Sequence, residues 1–193
     1  MPLVTHALTT LANVKLMLGI TDSSKDSLLE LLINSCTDWI ESYCGRRFKA
    51  PSSAVVELID CGYQSILILR DYPITTFTKL EERISQTDFE IIDSDDYLVD
   101  TANGRIILSF ETQAGVGQYR AEYIGGFSTI PNDLSMACTQ LVINEYNDRA
   151  GGGEIRSESL GEYSVTYTVG DTAGTEADRF IDQTLNKYKR VKV

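Results

Sequence analysis

Acidic side chains are the groups in this chain of 193 residues that cluster densely enough to do chemistry. Eight acids and a single arginine lie between Leu80 and Asp100. Paired carboxylates can hydrolyse glycosides or bind calcium, but Asp93-Ser94-Asp95-Asp96 lacks the glycine and the distal glutamate of a calcium loop. The pattern favours a solvated acidic hairpin edge, which discourages unwanted strand pairing. The candidate acidic surface consists of Glu81, Glu82, Asp93, Asp95 and Asp96.

Nucleophilic catalysis and metal binding find little support in the sequence. There is no Gly-x-Ser-x-Gly motif, and the only histidine, His6, lies near a terminus that we predict to be mobile and is therefore a poor base. The four cysteines form no Cys-x-x-Cys pair, so a zinc site would need ligands from segments far apart in the chain. We expect a reduced protein that is not an enzyme and holds neither a cofactor nor a metal.

Basic residues are concentrated at the end of the chain. The last seven residues contain four cations and no acid. Compensation of a helix dipole would explain them, and a docking tail for an acidic partner surface would explain them equally well. The candidate docking residues combine an apolar helix face with these cations: Phe180, Ile181, Leu185, Tyr188, Lys189, Arg190 and Lys192.

The composition describes an acidic globular protein. Apolar residues make up 42% of the chain and the formal net charge is −11, with an isoelectric point near 4.5. Such a protein does not bind phosphate backbones through its average field, although DNA could still pass along it. We find no secretory signal and no apolar stretch long enough to cross a membrane, and therefore expect a cytoplasmic protein.

Helical patterns flank a β-rich middle. Thr9 and Thr10 can cap a first helix that ends at Gly19, and a longer helix follows and ends at Gly45. Trp39 of this helix is expected in the core or in a helix contact. Seven short strands separated by turn signals are predicted between residues 54 and 124, with Asn103-Gly104 as the clearest hairpin turn.

The order of elements predicts an α+β fold. A small helical bundle from both chain ends would carry an inserted antiparallel β lobe, either a sandwich or a small barrel, and a C-terminal strand and helix. We expect N-terminal bundle helices over 1–50, the β lobe over 51–128 and a further bundle helix over 129–150. Residues 151–193 would form a flexible linker, a strand and a C-terminal helix that acts as a docking arm.

Several segments occur in an order that is typical of a known family. They are Gly19-Ile20-Thr21-Asp22, Tyr43-Cys44-Gly45-Arg46-Arg47-Phe48, Leu67-Ile68-Leu69 before Tyr72-Pro73-Ile74, Asn103-Gly104-Arg105-Ile106, Ile130-Pro131-Asn132-Asp133-Leu134, and Gly161-Glu162-Tyr163-Ser164-Val165. Together they resemble the head–tail adaptor proteins of tailed bacteriophages, also called connector or head completion proteins. Each segment alone reflects capping, turn or core chemistry, so their order carries the resemblance.

The resemblance implies a structural role in a virion. Members of this family form a ring of about twelve subunits in the virion neck, between the portal protein and a tail or stopper protein. DNA passes through the ring without sequence-specific binding, and no membrane is involved. An acidic lumen suits this role because few cations would displace the counterions of DNA. Assembly in the host cytoplasm is implied as well.

Two other functions are compatible with the sequence. One is a tail-completion protein that binds the tail tube instead of the portal. The other is a carbohydrate-binding β-module, which would need several aromatic rings on one exposed face. Tyrosines are available in the β-rich middle, but their scatter favours use in the core: Tyr63, Tyr72, Tyr97, Tyr119 and Tyr123.

Overall fold

The computed structural model describes residues 2–150, 157–160, 163–166 and 176–190. Its elements follow in chain order: α1 (Leu11–Leu18), α2 (Asp26–Cys44), β1 (Val55–Cys61), β2 (Ile66–Ile68), β3 (Ile74–Arg83), β4 (Phe89–Ile91), β5 (Tyr97–Asp100), β6 (Arg105–Leu108), β7 (Gly115–Gly125), α3 (Asn132–Ala150), β8 (Ser157–Leu160), β9 (Tyr163–Thr166) and α4 (Glu176–Tyr188). A turn of 3-10 helix, Ser94–Asp96, precedes β5. Helices and antiparallel sheets occur together, so the predicted α+β class is confirmed.

The chain divides into two compact units. Met1–Cys44 and Pro131–Val193 form one, called here the helical unit, and Gly45–Ile130 form the other, the β unit. The helical unit contains helices α1 to α4 and a hairpin of β8 and β9, where the sequence predicts a single strand. The predicted linker around Gly151-Gly152-Gly153 lies outside the described residues.

Local sequence signals set the ends of the first helix. The Thr10 side chain accepts the Asn13 N–H at the start of α1, as an N-cap residue does. Gly19 ends the helix in the left-handed conformation, at φ +68°, and its N–H reaches the carbonyl of Leu16. Lys15 then pairs with Asp26 at 2.6 Å, which joins the end of α1 to the start of α2.

Helices α2, α3 and α4 of the helical unit each bury one face. The single apolar face that the helical spacing predicts for α2 is confirmed, since Leu29, Ile33, Cys36 and Ile40 are all buried. The buried residues of the later helices are Leu134, Ala137, Cys138 and Val142 of α3, and Ile181, Thr184 and Leu185 of α4. These faces form the core of the unit.

The β unit contains two antiparallel sheets around one core. The four-stranded sheet has the order β1-β7-β3-β4, and the three-stranded sheet has the order β2-β6-β5. Both sheets contribute to one cluster of buried side chains: Ile59, Leu67, Leu69, Ile74, Leu80, Ile106, Leu108, Tyr119, Ala121 and Tyr123. The strands of this unit form two sheets and close no barrel, so the small-barrel alternative is wrong.

The register of the strands in the β unit follows from the alternation of buried and outward-facing side chains and from the turns. Tyr119, Ala121 and Tyr123 of β7 point into the core, while Arg120 and Glu122 between them point outward. The predicted hairpin is confirmed, since Asp100 of β5 pairs with Arg105 of β6 and Gly104 adopts φ +64° in the turn.

Candidate assembly surfaces

The C-terminal helix is held to α3 by one carboxylate. Lys187 Nζ donates to Asp133 Oδ2 at 2.8 Å, and the Tyr188 hydroxyl donates to Asp133 Oδ1 at 2.7 Å. Burial acts to raise the pKa of Asp133, but the hydrogen bonds from Lys187 and Tyr188 outweigh it and hold that pKa below its usual range. Asp133 therefore ties the last turn of α4 to the first turn of α3.

A second set of contacts holds α4 to α2. The Arg190 N–H donates to the Cys44 carbonyl at 2.9 Å and so satisfies a carbonyl at the end of α2. The Tyr43 hydroxyl contacts Asn186 Oδ1 at 3.4 Å, and Lys189 Nζ lies 4.4 Å from the centre of the Tyr43 ring. The basic end of the chain thus makes contacts of its own inside the helical unit.

Some of the predicted docking residues are buried and others are accessible. Ile181 and Leu185 are buried, so they pack the helical unit and are not available to a partner while α4 stays in this position. Phe180 is 39% exposed and Lys189 is exposed, so both are accessible. Lys192 lies outside the described residues. The structure therefore leaves a smaller accessible set than the sequence predicts.

The acidic stretch is only partly a surface. Glu81, a predicted surface acid, is 4% exposed, which corrects that assignment. Lys79 Nζ lies 3.0 Å from Glu81 Oε1, and Arg120 Nε lies 2.6 Å from Glu81 Oε2. The hydrogen bond from Arg120 is the main cause that lowers the pKa of Glu81. The sequence pattern did not predict this pairing because Arg120 lies on β7, which is far from Glu81 along the chain although it is adjacent to β3 in the sheet.

Glu82 has a different structural role. Its Oε1 accepts the Tyr119 hydroxyl at 3.0 Å, next to the core of the β unit. Burial, followed by this hydrogen bond, raises the pKa of Tyr119 to about 12. The remaining predicted acids, Asp93, Asp95 and Asp96, are exposed around the turn of 3-10 helix. The acidic surface is therefore narrower than predicted and centred on this turn.

Arg46 lies in an aromatic cage of the β unit. Its guanidinium carbon is 3.4 Å from the centre of the Tyr72 ring and 5.1 Å from that of Phe48, and the residue is 3% exposed. Stacking on aromatic faces is favourable for a planar guanidinium. Arg46 thus packs the start of the β unit.

Exposed apolar side chains mark two further surfaces. Trp39 was expected in the core or in a helix contact, but it is 49% exposed and stacks on Tyr43 at 5.4 Å. In the three-stranded sheet, Ile107 pairs with Ile66 on one side and with Leu98 on the other, and all three are exposed. Clustered exposed apolar groups are typical of surfaces that bind other proteins.

Among the described residues, no helix is both long enough and apolar enough to cross a membrane.

Sequence comparison identifies the family. A sequence model of the head completion protein family matches residues 7–191. The chain belongs to this family. The resemblance found in the sequence is thereby confirmed, and with it the role of a structural virion protein at the head–tail connection. No curated protein sequence matches the chain significantly.

Solved structures share the fold of this head completion protein. A chain of the neck of an empty gene transfer agent particle, computed with C6 symmetry, is similar with a TM-score of 0.61 and 14% sequence identity, over 100% of this chain and 95% of that chain. A chain of the virion of a native gene transfer agent particle is similar with a TM-score of 0.54 and 15% identity, over 98% and 93%. At these identities the comparison describes the fold.

Proposed function

We propose that this head completion protein is a head–tail adaptor of the virion neck, forming a ring of about twelve subunits between the portal protein and a tail or stopper protein. The family match over residues 7–191 carries the proposal. The fold shared with a chain of a particle neck supports it. A ring of twelve is compatible with the sixfold symmetry used for that neck, because twelve is a multiple of six.

Ring closure requires two different surfaces on each subunit. A head-to-tail contact joins one patch to another patch, and the ring closes when the rotation between neighbours does. Exposed Trp39, which stacks on the half-buried Tyr43 in the helical unit, supplies one apolar patch, and the row of Ile66, Ile107 and Leu98 in the β unit supplies another. We assign these patches as the candidate subunit contacts.

Portal binding is proposed to use the accessible part of the C-terminal helix. Phe180 supplies an exposed ring and Lys189 an exposed cation on a chain of net charge −11, which suits an acidic dock. Lys192 extends the basic end in sequence. Association of this kind weakens as salt is added, because the charges lie in solvent.

The role proposed for DNA is passage without capture. Exposed acids such as Asp93, Asp95 and Asp96 repel the phosphate backbone, so the chain releases few counterions from DNA and binds it weakly. The protein acts without catalysis and assembles in the host cytoplasm under this proposal. Its function depends on the surfaces through which it binds other proteins.

Electron microscopy of mixtures tests the assembly. The adaptor is measured alone and with its portal, by size and by imaging. We expect an added ring on the portal in the mixture. A discrete dimer under both conditions contradicts the ring, and binding to tail tubes but not to portals would favour a tail-completion protein instead.

Charge reversal tests the docking surface. Lys189→Glu should weaken portal binding, while the same change at exposed Lys25, at the other end of the chain, should leave it unchanged. Equal effects of the two variants would refute docking through α4.

A further inference from the structure

The N-terminal segment is hydrogen-bonded along α2, although the sequence predicts a mobile terminus. The Val4 N–H donates to Asn34 Oδ1 at 3.0 Å, and the Leu8 N–H donates to Thr37 Oγ1 at 3.3 Å. These two bonds lie on either side of His6. The backbone of His6 is therefore held beside α2 before any ligand binds, which lowers the cost of ordering its side chain on a ligand.

Three possible metal ligands converge at this point. His6 Nε2 lies 3.5 Å from Asp38 Oδ1 and 3.9 Å from Glu41 Oε2, and the three ligand atoms all lie within 4.8 Å of one another. Asp38 and Glu41 are three residues apart on α2, a spacing that places both side chains on the same face of a helix. Asp38 and Glu41 can therefore both face His6.

We propose that His6, Asp38 and Glu41 bind a divalent transition-metal ion, with zinc as the preferred ion. Zinc bonds to imidazole nitrogen and carboxylate oxygen are about 2.0–2.2 Å long, which puts the ligand atoms of a tetrahedral site about 3.3 Å apart. The observed separations approach this value, and a shift of roughly 1 Å in the carboxylates would complete it. An imidazole among the ligands selects zinc over calcium and magnesium.

Burial around the site fits an open coordination sphere. The side chains of His6 and Glu41 are 23% and 10% exposed, whereas that of Asp38 is 71% exposed. An ion can enter from the Asp38 side and keep water in its remaining position. The bound ion would join the N-terminal segment to α2, so zinc should stabilise the helical unit by mass action.

Proton NMR of the imidazole tests the site directly, because His6 is the only histidine in the chain. Zinc chloride is added to the full-length protein with thiols kept reduced. We expect the ring signals of His6 to shift in proportion to zinc until one equivalent is bound, together with a rise in Tm. Calcium chloride at the same concentration should leave the ring signals unchanged. Ring signals that do not move under zinc would overturn the proposal.

A pair of matched variants tests the ligand set. Asp38→Asn removes one ligand from an exposed position, and Glu30→Gln makes the same type of change on the same helix, outside the cluster. We expect Asp38→Asn to weaken zinc binding about tenfold or more and to abolish the rise in Tm, while Glu30→Gln binds as the parent does. Equal zinc affinity in the two variants would place the metal elsewhere and refute the site.

Discussion

Arg120 of β7 and Glu81 of β3 lie directly opposite each other in the strand register, and Arg120 Nε donates to Glu81 Oε2 at 2.6 Å. Lys79 reaches the other oxygen of the same carboxylate. Glu81 is therefore buried in a charge network of the four-stranded sheet, although the local sequence shows it as one of a run of acids. Breaking such a network from one side leaves uncompensated charge behind.

Neutralising Glu81 should therefore destabilise the β unit. We expect Glu81→Gln to lower the free energy of unfolding by about 2 kcal/mol, because Arg120 and Lys79 lose their acceptor. Asp95→Asn, an exposed change in the same acidic stretch, should cost less than about 0.5 kcal/mol. Urea unfolding monitored by circular dichroism measures both.

The pH dependence of this difference has a defined sign. The pKa of Glu81 is lower in the folded state, mainly through the hydrogen bond from Arg120, so the unfolded chain takes up the proton first as pH falls. The stabilisation is complete above the unfolded pKa of about 4.3 and is lost as pH falls through the folded pKa. The gap between parent and Glu81→Gln should narrow in acid. A gap that stays constant below pH 4 would contradict the charge network.

Asp133 should matter more than other acids of α3. Asp133→Asn weakens the bonds from Lys187 and Tyr188, and we expect it to lower the free energy of unfolding by about 1 kcal/mol. Added salt should make this loss smaller, because Lys187 is largely exposed and its ion pair is screened. Asp148→Asn, an exposed change on the same helix, serves as the control. Similar stabilities of the two variants would show that α4 does not depend on Asp133.

The last helix should be part of the core of the helical unit. Leu185→Ala removes a fully buried side chain and should cost about 2–5 kcal/mol, whereas Phe180→Ala, at a residue that is 39% exposed, should cost less than about 1 kcal/mol. Deletion of 180–193 should destabilise the protein for the same reason. A truncated protein that stays soluble and melts cooperatively would favour a detachable docking arm instead.

Tyr119 should resist ionisation. Burial raises its pKa to about 12, so in a spectrophotometric titration it should ionise well after a tyrosine of ordinary pKa near 10. Since the pKa is higher in the folded state, the related stability is present below pH 10 and is lost as pH rises through the folded pKa. Tyr123 also has a raised pKa, so Tyr119→Phe should reduce the late absorbance change by the share of one tyrosine and leave the change near pH 10 intact. A variant that instead loses absorbance change near pH 10 would contradict the buried assignment.

Sequence patterns determined the features that depend on near neighbours in the chain. The cap at Thr10, the stop at Gly19, the apolar face of α2 and the Asn103-Gly104 hairpin all follow from residues a few positions apart. A hydrophobic period of 3.6 residues in a helix, or of 2 residues in a strand, indicates which side of the element is apolar. Turn residues indicate where the element ends. The α+β class and the family resemblance followed from the order of such elements.

Tertiary structure alone decided which distant groups meet. The partner of Glu81 is 39 residues away along the chain, and the carboxylate beside His6 is 32 residues away. The helical pattern around Trp39 is compatible with burial, yet the residue is 49% exposed. Sheet order, strand register and helix packing determine such pairs, and these arise from the summed burial of many side chains, which no local window of sequence contains.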